Sequence, residues 1–181
     1  AEQRYPQFPY EIDKAIPEVV HRYFAAALGF IAILLVAFAF KYSLPKKIKA
    51  ITSFLLFFIC CQGLFGYLTV SLKLLPIIVT GHLFGGFITL SLFFYLFLST
   101  TDGIRNHQIG HLKILGGIAL IALLIQIFLG VWTSTNYASL ACADFPTCQG
   151  TYLPDMDFSE GFNLSQEVGP NYLYGLLDNE A

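Results

Sequence analysis

Four long stretches of this chain contain no Asp, Glu, Lys or Arg: Tyr23 to Phe40, Ala50 to Leu72, Leu74 to Thr101 and Ile114 to Ala143, the last apolar mainly over its first part. Each supplies the ~20 residues a helix needs to cross ~30 Å of hydrocarbon. Lipid leaves no unpaired backbone group satisfied, so a helix is the expected form of each. With 56% of residues hydrophobic and 12% charged, the chain has too little polar surface for a water-soluble domain. The expected fold is an all-α integral membrane protein, an antiparallel up-down bundle of four transmembrane helices with a long outer C-terminal loop. The spans fall near 18–40, 48–71, 75–100 and 111–134, between an outer segment at 1–17 and an outer loop at 135–181.

Charge orients the bundle. Lys41, Lys46, Lys47 and Lys49 lie between the first two uncharged stretches, and Arg105 and Lys113 between the last two. The rule that basic loops stay inside assigns both connections to the cytoplasm. Among the acidic residues only Asp102 falls in those connections, so both ends of the chain are expected outside. An outward beginning at Ala1 with no signal-peptide pattern calls for a preceding helix. The tail ending in LLDNEA has no closing element. The sequence therefore reads as an internal piece of a longer protein.

In PEVVHRYFAAALGF, Glu18, His21 and Arg22 have spacings of three and four and share one helical face at the outer interface. In PIIVTGHLFGGFITL, His82 lies about one and a half turns inside the same leaflet. A single histidine at a helix end is commonly an interfacial side chain, and one inside a bundle can simply bond a neighbouring helix. An ionisable group in a membrane is nevertheless a functional candidate by default. Two imidazoles at one depth on two helices running the same way are a standard means of holding haem iron. Gly81, Gly85 and Gly86 clear space around His82, although small residues equally let helices pack closely.

Other groups are less pointed. Gln62, Gly66 and Thr69 on the second span match Gln126, Gly130 and Thr133 on the fourth. Polar contacts between helices account for the glutamines, while the repetition suggests two related hairpins around one site. His107 and His111 flank a loop interrupted by Gly110, and vicinal Cys60 and Cys61 read as small buried hydrophobes. Cys142 and Cys148 lie in the outer loop, where they suit either a structural disulfide or a redox-active pair. There is no Gly-rich phosphate loop, no Cys-x-x-Cys-His haem attachment motif and no hydrolase constellation.

Together PEVVHRYFAAALG, LPIIVTGHLFGG and QIFLGVWTSTNYASLACADFPTCQG followed by PDMDF resemble haem A synthases, membrane enzymes that mature the haem of cytochrome oxidases. The resemblance covers nearly the whole chain but only part of the family's eight-helix protein. It implies an oxidoreductase that converts the C8 methyl of haem O to the formyl of haem A. It also implies that this chain belongs to the substrate-haem half, with a haem b in a second half, so that the chain alone would not be competent.

By the same resemblance Glu18, His21, Arg22 and His82 match the substrate-haem site and Cys142 and Cys148 the family's outer cysteine pair. In that site His21 and His82 would ligate the haem iron, Arg22 would pair with a propionate, and Glu18, the expected catalytic residue, would move protons during oxidation or orient the substrate. The implied partners are the lipid bilayer, haem, haem O synthase, an electron donor and a second copy of the chain, with no nucleic acid. The implied location is a bacterial plasma membrane, or the mitochondrial inner membrane in a eukaryote. A bis-histidine cytochrome b and a non-catalytic assembly scaffold are the competing readings. The first gives no task to Glu18, and the second predicts no haem.

Overall fold

The computed structural model describes residues 12–101, 110–138, 141–142 and 144–164. Four long helices, α1 (Ile12–Lys41), α2 (Lys46–Ser71), α3 (Pro76–Thr100) and α4 (Gly110–Thr135), are followed by a one-turn helix, α5 (Phe158–Gly161). The shortest long helix, α3, has 25 residues; at ~1.5 Å per residue it reaches about 37 Å, enough to cross the hydrocarbon layer. All four are apolar enough to span a membrane, so the chain is a multi-pass membrane protein. It forms an antiparallel four-helix bundle arranged as a row. α1 packs on α2, α2 on α3 and α3 on α4, while α1 does not pack on α4 among the described residues.

Helices in lipid gain nothing from hiding apolar surface from one another, so close packing and polar contacts must hold them. Accordingly Phe30, Phe38, Phe57 and Ile121 are exposed toward lipid. The α1–α2 seam is built on small residues two turns apart: Ala32 and Ala39 are 0% and 1% exposed, against Thr52 and Leu55 at 2% and 0%. Thr52 satisfies its hydroxyl on its own helix, donating to the Ile48 carbonyl at 3.0 Å.

The α2–α3 seam works by reciprocal notches. A Cβ at Gly66 would lie 3.3 Å from His82 Cε1, and one at Gly81 would lie 3.3 Å from Phe65 Cε1. A Cβ at Gly85 would collide with the Gln62 amide. All three pairings are centred on the turn at Lys73 and Leu74, which hold φ of 53° and 65°. Two successive non-glycine residues in the left-handed region cost about 1 kcal/mol or more each. The turn is held by Leu74 N–H donating to the Thr69 carbonyl at 2.8 Å and by Pro76 at the start of α3, where its missing N–H loses no helix bond.

Beyond α4 the loop folds on two aspartates. Asp144 accepts from Thr147 Oγ1 and from the backbone N–H groups of Gln149 (2.9 Å) and Gly150 (3.0 Å). Asp157 caps α5, accepting from Ser159 Oγ at 2.6 Å, Ser159 N at 2.8 Å and Glu160 N at 3.1 Å. Trp132, near the end of α4, stacks with Phe128 and Phe162, and its indole N–H donates to the Gly161 carbonyl at 2.7 Å. That contact latches α5 to the bundle.

The Gly85 notch has a measurable worth. Gly85→Leu should destabilise the protein by about 1–3 kcal/mol through overpacking against Gln62, whereas Gly63, with nothing within 4 Å of its Cβ position, should accept Leu without loss. Denaturation midpoints in detergent measure both.

The latch should also respond to acid. Hydrogen bonds, from Thr147 first for Asp144 and from Ser159 first for Asp157, hold both carboxyls below the usual aspartate range. Their ionised forms therefore stabilise the loop at neutral pH, and that support disappears as pH falls from the usual aspartate value through the lowered folded value. Trp132 is the sole tryptophan, so its emission should shift red over that window in this chain. Asp157→Asn should show much of the shift already at neutral pH. Flat emission across the window would show that the aspartates do not hold the latch.

Candidate functional site

The end of the bundle at which α1 begins carries the site. α1 begins upstream of Glu18, and Pro17 lies within it. Lacking an N–H, Pro17 leaves the carbonyl of residue 13 without its helical bond and marks off the turn before Glu18 from the continuous span. From that point spacings of three and four place Glu18, His21 and Arg22 together. Arg22 Nη2 donates to Glu18 Oε1 as an ion pair between exposed side chains. An exposed i,i+4 pair of this kind contributes only a few tenths of a kcal/mol. The pairing uses one carboxylate oxygen and leaves Glu18 Oε2 available.

His21 on α1 and His82 on α3 come together although their helices are not packed on one another. Their ring centroids are 6.4 Å apart with planes at 76°. Gly66 makes this possible, because the α2 backbone at that point has no side chain to push the His82 ring away. A metal held between two imidazole nitrogens at about 2.0–2.1 Å sets ring centroids about 6 Å apart, since each nitrogen lies about 1 Å from its ring centre. The observed 6.4 Å lies near that value.

The donor set suits iron that arrives with its own equatorial ligands. Among the described residues no three His, Cys, Asp or Glu side chains converge to hold a bare metal ion. His82 Nδ1 is buried and has no hydrogen-bond partner. The glycines around His82 divide in use. Phe65 fills the space at Gly81 and Gln62 that at Gly85, while Gly86, one turn along α3 from His82, has nothing within 4 Å of its Cβ position. The α3 surface at Gly86, next to His82, is thus exposed and carries no side chain. Thr89 is buried and donates to its own Gly85 carbonyl at 2.9 Å, which makes it a packing residue.

Other sequence expectations divide. The two Gln-Gly-Thr trios are not equivalent: Gln62 and Gly66 are locked into α3, whereas Gln126 and Thr133 are exposed and nothing lies within 4 Å of the Cβ position at Gly130. Related hairpins around one site do not follow from the repeat, because among the described residues α4 packs on α3 and on no other long helix. Cys60 is exposed and Cys61 half-buried, both as free thiols. Cys60 is thus not the buried hydrophobe the sequence suggested, since lipid covers the apolar surface that water would force inward. His107 and the His111 side chain lie outside the described residues. Cys142 and Cys148 form a disulfide with Cα atoms 4.7 Å apart.

The sequence reading missed Asp144, Asp157 and Trp132 as organisers of the loop. A usable signal was present for one of them: Asp157 with Glu160 three residues on, in DFSE, has the spacing of a capping box.

Comparison with known proteins identifies the family. The family model described as cytochrome oxidase assembly protein matches residues 1–171. Over 184 aligned residues the chain is 35% identical to a protein named heme A synthase from Shewanella oneidensis, an alignment covering 100% of this chain and 55% of that protein. The chain thus spans about half the length of the curated relative it matches. No solved structure matches it. With a match over nearly its whole length and a fold of apolar membrane helices, the chain belongs to the family of cytochrome oxidase assembly proteins.

Proposed function

We propose that this chain is the substrate-haem half of a haem A synthase, an oxidoreductase that converts the C8 methyl of haem O to the formyl of haem A for cytochrome oxidase assembly. The observation that carries the reading is the 6.4 Å separation of the His21 and His82 rings, with Glu18 and Arg22 on the adjoining turns of α1. Heme A synthase is the printed name of the Shewanella relative, and its substrate is carried over here as part of the proposal. Haem b belongs to the same reading as the cofactor of the other half, haem O synthase as the source of substrate, and an electron donor and a second copy of the chain as partners.

The residues divide the work by their chemistry. His21 and His82 would hold the iron of the bound haem through imidazole nitrogens. Arg22 has donors beyond the one given to Glu18, and a haem propionate at the membrane interface is a carboxylate that a guanidinium binds in bidentate fashion. Such binding draws Arg22 from Glu18 and frees both carboxylate oxygens. Glu18 then holds or transfers a proton at Oε1 or Oε2 while the methyl group is oxidised. The disulfide ties the loop at the same end of the bundle, and supports the site by limiting where that loop can lie.

By the positive-inside rule the lysine-rich turn between α1 and α2 faces the cytoplasm of a bacterium, and the site and disulfide face the periplasm across the plasma membrane. A membrane-impermeant thiol probe should therefore fail to label Ser43→Cys in intact cells and should label it once the membrane is opened. Labelling from outside would reverse the orientation.

Glu18→Gln tests the chemistry in the full-length protein, because it keeps size and hydrogen bonding while removing the ionisable proton. The variant should bind haem at the normal level yet accumulate haem O or a hydroxylated intermediate, with haem A down about tenfold or more. His21→Met and His82→Met should retain haem O and lose haem A through weakened axial ligation. Extracted haems resolved by chromatography report each outcome. Normal haem A in all three variants at matched expression would refute the assignment, and a fixed haem b with no modified haem would indicate an electron-transfer cytochrome instead.

A further inference from the structure

Three buried polar atoms in the α2–α3 pair have no hydrogen-bond partner: Gln62 Oε1, Thr80 Oγ1 and His82 Nδ1. Thr80 has a local remedy, since a helix hydroxyl can turn to the carbonyl one turn back, as Thr52, Thr89 and Thr135 do here. Neither the Gln62 oxygen nor the His82 nitrogen has such an arrangement. Burying a polar atom without a partner costs about 1–3 kcal/mol, and these two are complementary: an amide oxygen only accepts, and an imidazole nitrogen carrying hydrogen donates.

Their positions match as well. The His82 ring rests in the Gly66 notch, and the Gln62 amide rests in the Gly85 notch. Gln62 precedes Gly66 by one turn of α2, and Gly85 follows His82 by about one turn of α3. The two groups thus occupy successive notches of a single seam, and the notches lie about one helical pitch, ~5 Å, apart. One enclosed water spans that distance with two ordinary hydrogen bonds.

We propose that Gln62 is a positioning residue for His82: its Oε1 accepts a hydrogen bond from His82 Nδ1–H, directly or through one enclosed water, which fixes the tautomer and presents Nε2 to the gap facing His21. The inference rests on the reading of His21 and His82 as iron ligands. It follows the general behaviour of metal-binding histidines, whose second nitrogen is held by an acceptor that sets both tautomer and ring direction. Gly85 becomes part of the device, because a side chain there would expel the Gln62 amide. Thr69, one turn beyond Gly66, already donates to the Gly66 carbonyl at 2.7 Å and serves as the comparison residue.

The test uses the full-length protein in lipid nanodiscs with 15N-labelled histidine. In the haem-free protein the His82 signals should show the Nδ1–H form, at least tenfold over the other tautomer. Gln62→Glu keeps an acceptor oxygen and should retain that form. Gln62→Leu, of similar size, should bring the two tautomers to comparable populations, while Thr69→Val should leave the ratio unchanged. An unchanged ratio in Gln62→Leu, or its loss in Thr69→Val or Gln62→Glu, would overturn the proposal. Should Gln62→Leu fail to fold, Gln62→Met, which also lacks the amide oxygen, is read in its place with the same two outcomes.

In the haem-loaded protein, Gln62→Leu should move the low-spin electron paramagnetic resonance signal and Gln62→Glu should restore it toward the wild-type position; an identical signal in all three overturns the proposal. The underlying reading is tested separately by His82→Ala. Unchanged haem content in that variant sinks the ligand assignment while leaving the haem-free tautomer result to stand or fall on its own.

Discussion

The reciprocal insertion of side chains into glycine notches between α2 and α3 is the contact on which the site depends. In lipid two apolar helices gain little by hiding surface from each other, so steric fit must set their distance and register. His82 enters at Gly66, Phe65 at Gly81 and Gln62 at Gly85. The fit uses glycine on each side in turn, which makes sliding of either helix costly. Stability and chemistry therefore share residues. The ring that locks the seam is also the ring that meets His21 across the gap between α1 and α3.

The α1 side of the site is held more loosely. α1 is fixed to α2 through Ala32 and Ala39, which lie well along the helix from His21, and its outer turns carry exposed side chains, Glu18, His21 and Arg22 among them. The site thus joins His82, set in its notch, to exposed side chains on the outer turns of α1.

Much of this was legible in the sequence because membrane helices declare themselves by uninterrupted apolar length, and lipid leaves few alternatives to a helix. His21 and His82 could be placed at one depth because both follow an identifiable helix start on helices running the same way. The seam itself was not legible. Glycine spacing announces close approach but not which side chain fills each notch, so Gly81, Gly85 and Gly86 looked alike although two are filled and one is open. The matching trios on α2 and α4 misled for the same reason: a pattern fixes a face, and only the neighbouring helix decides whether that face is used. Cys60 illustrates the solvent problem, since an apolar residue in lipid has no reason to be inside. The loop escaped notice because Asp144 and Asp157 act on backbone N–H groups, and backbone partners leave little trace in residue types.

The turn at Lys73 and Leu74 has a consequence for how the chain can vary. Loops between helices ordinarily absorb insertions and deletions with little harm. Here the turn is the centre about which all three notch pairings are arranged, and it is wound so tightly that two side-chain-bearing residues adopt left-handed backbone. One residue added there could not be confined to the turn: it would rotate α3 by about 100° or shift it by ~1.5 Å. His82 would leave Gly66, and its ring would no longer face His21. The length of this short connection is thus as much a determinant of the site as the histidines are, and a changed loop length would mark a relative in which the pair has been dismantled even where both histidines persist.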